Sequence, residues 1–134
     1  MPTRNAIRRQ CRQQRRELDN AQQQNYAQQF ALQFSRSRLY KSARRIACYF
    51  ANDAELDLSP LIDLAWRHHK QVYLPVLQAP FTQRILFARY CRDTLLDSNK
   101  FGIPEPAIAA KHRKQPRQMD IVLAPLVAFD REGN

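Results

Sequence analysis

Arginine recurs at positions 4, 8, 12 and 15 or 16 of "RNAIRRQCRQQRRE", a stretch without Gly or Pro. Spacings of four, four and three or four place these side chains on one face of a helix. Like charges so arranged repel by roughly a few tenths of a kcal/mol per pair. Such a face is either solvated or turned toward an anion, and arginine offers a planar fork of donors that suits phosphate or carboxylate oxygens. The second chemical cluster is acidic: "YFANDAELDL", residues 49–58, carries Asp53, Glu55 and Asp57. Loop carboxylates are solvated by default. Their value here depends on position, because a loop that leaves the carboxyl end of a strand is where α/β proteins bind ligands. There Glu55 could accept hydrogen bonds from an NH-rich heterocycle.

The elements that must position these groups are legible in the pattern. Ile7, Cys11 and Leu18 give the first helix a narrow apolar stripe. Asp19 with Gln22 forms a capping-box pattern. Ala27, Phe30, Ala31 and Phe34 then repeat at i, i+3, i+4, i+7, which predicts a second helix to about Leu39. "RIACYF" and "QVYLPV" (71–76) read as strands. Between them "SPLIDLAWRHH" reads as a helix capped by Ser59, with Pro60 at its first position. Strand, helix, strand is a βαβ unit, so the two strands run parallel in a covered sheet. "RILFARY" (84–90) predicts a hairpin-like further strand, and "FGIPEPAI" a proline-restrained extended loop. "MDIVLAPLVAF" is the most apolar stretch and predicts a central strand, after an exposed cationic connection over 107–117.

A chain of 134 residues that is 44% hydrophobic is the size of one domain with its own core. Lys and Arg number 22 against 12 Asp and Glu, a formal charge of +10, which calls for an anionic partner. No apolar run approaches the roughly 18 residues of a membrane span. The N-terminus lacks the apolar core of a secretory signal, and the chain is expected to be cytoplasmic without a membrane partner. Cys11, Cys48 and Cys91 are too dispersed for a disulfide framework or a zinc motif, and His68, His69 and His112 form no ligand cluster with them. Nucleic acid is the second partner class the charge admits: a non-catalytic basic module would use the same stripe. The chain has neither an aromatic-rich RNA-binding signature nor a compact helix-turn-helix pattern.

"RNAIRRQCRQQRREL", "YFANDAELD", "VYLPVL", "FGIPEP" and "DIVLAPLVAFDREGN" together resemble, in order and spacing, the 5-formyltetrahydrofolate cyclo-ligases, also called 5,10-methenyltetrahydrofolate synthetases. The resemblance covers essentially the whole chain. It implies a three-layer αβα sandwich with a mainly parallel sheet, preceded by the two N-terminal helices. It also implies an ATP- and Mg²⁺-dependent cyclisation of 5-formyltetrahydrofolate to 5,10-methenyltetrahydrofolate, with release of ADP and phosphate. The family's ATP-binding segment falls on Arg4, Asn5, Ala6, Ile7 and Arg8, with Arg4 where many members have Lys. Its folate-contacting positions fall on Phe50 and Glu55, Phe50 standing where members often carry another large apolar residue. The resemblance names no catalytic residue and no metal ligand in this stretch.

The family continues from "FD..GN" into a Gly-rich loop, "RLGxGxGYYD", whose backbone NH groups approach phosphates closely. The present sequence stops at Asn134 with only two glycines. On the resemblance, residues 1–134 are expected to be a single cyclo-ligase-like domain truncated at its C-terminus, and inactive or partial as it stands.

Overall fold

The computed structural model describes residues 1–77 and 84–134. Helix α1 (Arg4–Arg16) begins where Thr3 accepts the Ala6 N–H at 3.2 Å, satisfying one of the donors that a helix start leaves free. Arg15 and Arg16 lie in its last turn, where the helix dipole favours cations. No residue of α1 is buried. Helix α2 (Asn20–Ser35) opens on the expected capping box: Asp19 accepts the Gln22 N–H at 2.7 Å, and the Gln22 side chain accepts the Asp19 N–H at 3.0 Å. Ala27 and Ala31 are buried, with Phe30 and Phe34 stacked beside them at 5.4 Å. The helix expected to reach Leu39 stops four residues earlier. Ser37 donates to the Phe34 carbonyl at 2.6 Å and accepts the Tyr40 N–H, ending one helix and capping the short α3 (Arg38–Ser42).

Four strands form the main sheet: β1 (Arg45–Ala47), β2 (Gln71–Leu77), β3 (Ile85–Tyr90) and β6 (Ile121–Val122), in the order β3-β2-β1-β6. β1 pairs in parallel with β2 and with β6, and β3 runs antiparallel to β2. The βαβ unit is therefore present, with α4 (Ser59–Arg67) as its crossover. Its cap differs by one residue from the expectation. Leu58 is the N-cap and Ser59 already helical, because the acceptor-only Asp57 carboxylate takes both Ser59 donors, N–H at 2.9 Å and Oγ–H at 2.7 Å.

Two other expectations change. The apolar stretch 119–129 contributes only Ile121–Val122, and it lies at the sheet edge rather than its centre. Leu123 still donates to Ala47 at 2.9 Å, but Pro125 has no N–H to extend the ladder, and Leu126 and Phe129 are exposed. The "FGIPEP" loop holds a strand, β5 (Pro104–Pro106), paired antiparallel with β4 (Leu96–Ser98). Asn99 shapes the intervening turn by accepting the Phe101 and Ile103 N–H groups, and Gly102 supplies its φ of +73°. The connection 107–117 is largely exposed, as expected, with two 3-10 turns and a two-way backbone bridge between Lys114 and Phe87.

Strand alternation divides the core between two faces. Ile46, Cys48, Val72 and Leu74 point toward α2, α3 and α4, where they bury Ala31, Tyr40, Leu61, Ile62 and Ala65. The opposite face carries a smaller cluster of Ala47, Tyr73 and Phe87 with Met119 against it. The architecture is mixed α/β, with N-terminal helices and a mainly parallel four-stranded sheet.

Candidate functional site

The loop that leaves β1 turns sharply at Asn52–Glu55. Asp53 and Ala54 both adopt left-handed φ, 52° and 57°. Asp tolerates this region, but for Ala the Cβ crowds the following carbonyl at a cost of about 1–2 kcal/mol. The turn is closed twice: Glu55 N–H donates to the Asn52 carbonyl at 3.1 Å, and Asn52 N–H donates to Glu55 Oε2 at 3.0 Å. This presents Asp53 to the end of α1. Arg16 Nε donates to Asp53 Oδ1 at 2.6 Å and Arg15 Nη2 to Oδ2 at 3.3 Å, with Arg12 Nε at 3.7 Å. The Arg16 hydrogen bond, aided by the charges of all three guanidinium groups, holds the Asp53 carboxyl below the usual carboxylate range.

The arginine stripe divides at its end. Asn5, Arg8, Arg9, Arg12 and Arg16 line an open groove of about 640 Å³ along α1, together with Gln13 and Glu17. Arg16 continues the stripe, and Arg15 leaves it. Of the sequence-derived ATP segment, Arg8 and Asn5 line this groove, while Arg4, Ala6 and Ile7 are exposed on the same helix outside its lining.

Arg15 instead lines a second cavity of about 530 Å³ with Glu55, Asp57, Leu56 and Ala54. Leu18, Phe30, Tyr26 and Phe129 give it apolar walls, and Gln23, Gln29 and Gln33 supply amides. Of the α2 residues of this wall the sequence reading named only Phe30, and for the core face, although Tyr26, Gln29, Phe30 and Gln33 also repeat at i, i+3, i+4, i+7 and mark a second face of that helix. Phe50 does not share the cavity with Glu55. Its ring meets Tyr90 edge-on at 5.5 Å, and Tyr90 in turn packs on Trp66 at 5.0 Å. Arg16 thus joins Asp53 at the exit of β1, where Glu55 closes the same turn, and Phe50 packs in the neighbouring aromatic cluster.

Other reactive groups serve structure. Among the described residues no three His, Cys, Asp or Glu side chains gather as metal ligands. The cysteines are free, and burial pushes the Cys48 thiol up to about 12, so it stays protonated and unreactive at neutral pH.

The chain has relatives among known proteins. The 5-formyltetrahydrofolate cyclo-ligase of Haemophilus influenzae is 41% identical over 116 residues, which are 85% of this chain and 62% of that protein. The Escherichia coli K12 protein of the same name is 37% identical over 122 residues, 91% of this chain and 67% of its own length. The chain therefore spans about two thirds of these relatives. The NMR structure of Aquifex aeolicus 5,10-methenyltetrahydrofolate synthetase superimposes with a TM-score of 0.81 at 25% identity, over 96% of this chain and 63% of that one. The 5-formyltetrahydrofolate cyclo-ligase family model matches residues 1–134, from the arginine helix through the Glu55 loop to the last strand, and the chain belongs to that family.

Proposed function

We propose that this chain carries the nucleotide-attracting and folate-binding parts of an ATP-dependent 5-formyltetrahydrofolate cyclo-ligase. The observation that carries the reading is that the arginine face of α1 is held, through Arg16 and Arg15 on Asp53, beside the Glu55 turn at the carboxyl end of β1. In the reaction, the formyl oxygen attacks the γ-phosphorus of ATP and ADP leaves. N10 of the folate then adds to the activated formyl carbon and gives up its proton, and phosphate departs with the former formyl oxygen, leaving 5,10-methenyltetrahydrofolate. Phosphoryl transfer of this kind depends chiefly on alignment and on neutralising charge. Arg8 and Asn5, which line the groove, face the phosphates, and Arg4, Ala6 and Ile7 complete the segment that carries them. Glu55 accepts the pterin NH groups inside a cavity whose Phe30, Leu56 and Tyr26 walls suit a flat ring. Phe50 acts from beside the cavity, through the Tyr90 cluster at the β1 exit.

Mg²⁺ is part of the proposed reaction as a companion of ATP. The described residues do not assemble a ligand set that fits it, and no step above passes through it. The reading also includes one domain over 1–134, a cytoplasmic setting and three-layer αβα layering. No helix among the described residues is long and apolar enough to cross a membrane.

The test is a pair of separate titrations by calorimetry. Arg8→Ala is expected to weaken ATP by about 1.5–3 kcal/mol, the worth of a hydrogen bond to a charged group, and to spare the folate. Glu55→Gln keeps the shape, exchanges an acceptor for a donor, and is expected to weaken 5-formyltetrahydrofolate alone. Unchanged affinities in both variants would remove these residues from the site.

A further inference from the structure

Asp53 stands between the two sites assigned above. Its carboxylate meets Arg12, Arg15 and Arg16. Arg12 and Arg16 also line the basic groove, whereas Arg15 lines the Glu55 cavity. One side chain therefore holds members of both sites.

The backbone beneath it is strained. Two consecutive non-glycine residues, Asp53 and Ala54, are left-handed at 52° and 57°. Such a conformation persists where the surroundings over-determine it. On one side those surroundings are the three guanidinium groups, and on the other the two Asn52–Glu55 hydrogen bonds. One of these bonds uses the Glu55 carboxylate itself, so any relaxation of the turn re-aims Glu55.

Helix α1 depends on the same contact. None of its residues is buried, and a 13-residue helix bearing like charges is marginal when undocked. Arg15 Nε is buried without a hydrogen-bond partner among the described residues. The Asp53 carboxylate and the Leu126 carbonyl, at 3.3 and 3.5 Å from its terminal nitrogens, are what orient that guanidinium.

We propose that Asp53 is a positioning residue that couples the two subsites, docking the arginine face of α1 on the 52–55 turn and setting Glu55 in the same act. This rests on the reading that Arg8 meets ATP and Glu55 meets the folate. Asp53 itself touches neither ligand.

The experiment titrates ATP and 5-formyltetrahydrofolate separately into the chain and its variants, and follows amide exchange along α1 without ligand. Asp53→Asn is expected to weaken both ligands by at least about fivefold, a typical size for coupling between sites, and to speed exchange in α1. Asp53→Glu keeps the carboxylate and is expected to regain part of both affinities. Asp53→Gly relieves the left-handed strain but lacks the carboxylate, so it is expected to behave like Asp53→Asn. An Asp53→Asn effect confined to one ligand, or absent from both, overturns the coupling. Full affinity in Asp53→Gly overturns it too, by showing that only the turn's backbone matters. If Arg8→Ala and Glu55→Gln leave both affinities unchanged, the site assignment and the coupling of ligands fail together. The docking is then judged alone: faster α1 exchange in Asp53→Asn supports it, and unchanged exchange overturns it.

Discussion

Helix α1 and the β1–α4–β2 unit are both regular structure, yet different forces hold them. In the unit, Ile46 and Val72 are 0% exposed and Leu61 and Leu74 1%, and burying each such side chain is worth about 1.5–3 kcal/mol. In α1 no residue is fully buried, and the attachment runs mainly through guanidinium groups on Asp53. Partly exposed ion pairs contribute little singly, and salt screens them. The difference teaches where stability and binding reside. The core can keep the fold while the charged helix keeps its arginines available to an anion, so damage to one region need not reach the other.

The largest expected effect breaks the comparison from the core side. Leu61→Ala removes a fully buried side chain from the contact between α4 and the sheet and is expected to lower the unfolding free energy by about 2–5 kcal/mol, read from urea denaturation. Below the unfolding transition, ATP affinity is expected to stay near that of the unmodified chain. A large loss of ATP binding in a folded Leu61→Ala protein would show that the two regions are not independent.

Thiol chemistry sharpens the comparison next. Cys11 lies half-buried on α1, whereas Cys48 is buried in the core with its thiol pushed up to about 12. Iodoacetamide at neutral pH is expected to label Cys11 at least on the order of a hundred times faster than Cys48, which reacts only on global opening. Peptide mass spectrometry reads the ratio, and comparable rates would deny the core its closure.

Salt and acid have smaller effects. Raising NaCl to about 1 M shortens the Debye length to about 3 Å and is expected to speed amide exchange in α1 while leaving the urea midpoint nearly in place. In acid, the folded pKa of Asp53 lies below its unfolded value, first because of the Arg16 hydrogen bond. Its stabilisation is therefore complete above the unfolded pKa of about 4 and lost as pH falls through the lower folded value. Asp120 follows the same sign, because its carboxylate accepts the Arg45 and Arg44 backbone N–H groups, both at 2.8 Å, and ties β6 to the start of β1. Below about pH 4, α1 and the β6 edge are expected to loosen, seen as faster exchange at both places with α4 still protected. Uniform loss of protection would assign acid sensitivity to the core instead.

Local chemistry made much of the chain legible before any coordinates. The Asp19–Gln22 capping box, the apolar period of α2 and the βαβ unit depend on neighbours a few residues apart, and these are as read. The arginine stripe, the acidic loop after β1 and the family resemblance were likewise visible in the sequence. Tertiary structure decided the rest because those outcomes turn on partners distant in the chain. Whether Ile121–Val122 is a central or an edge strand depends on which strands pair with it, not on its own hydrophobicity. The β4–β5 ribbon required Leu96–Ser98 and Pro104–Pro106 to meet across a turn built by Asn99. Arg15 and Arg16 are adjacent and chemically identical, and only the helix's 100° step sent one to the Glu55 cavity and the other to the groove. Asp53 read as one solvated acid among three until folding brought it 37 residues back along the chain to Arg16, where opposite charge and a strained turn gave it a structural task.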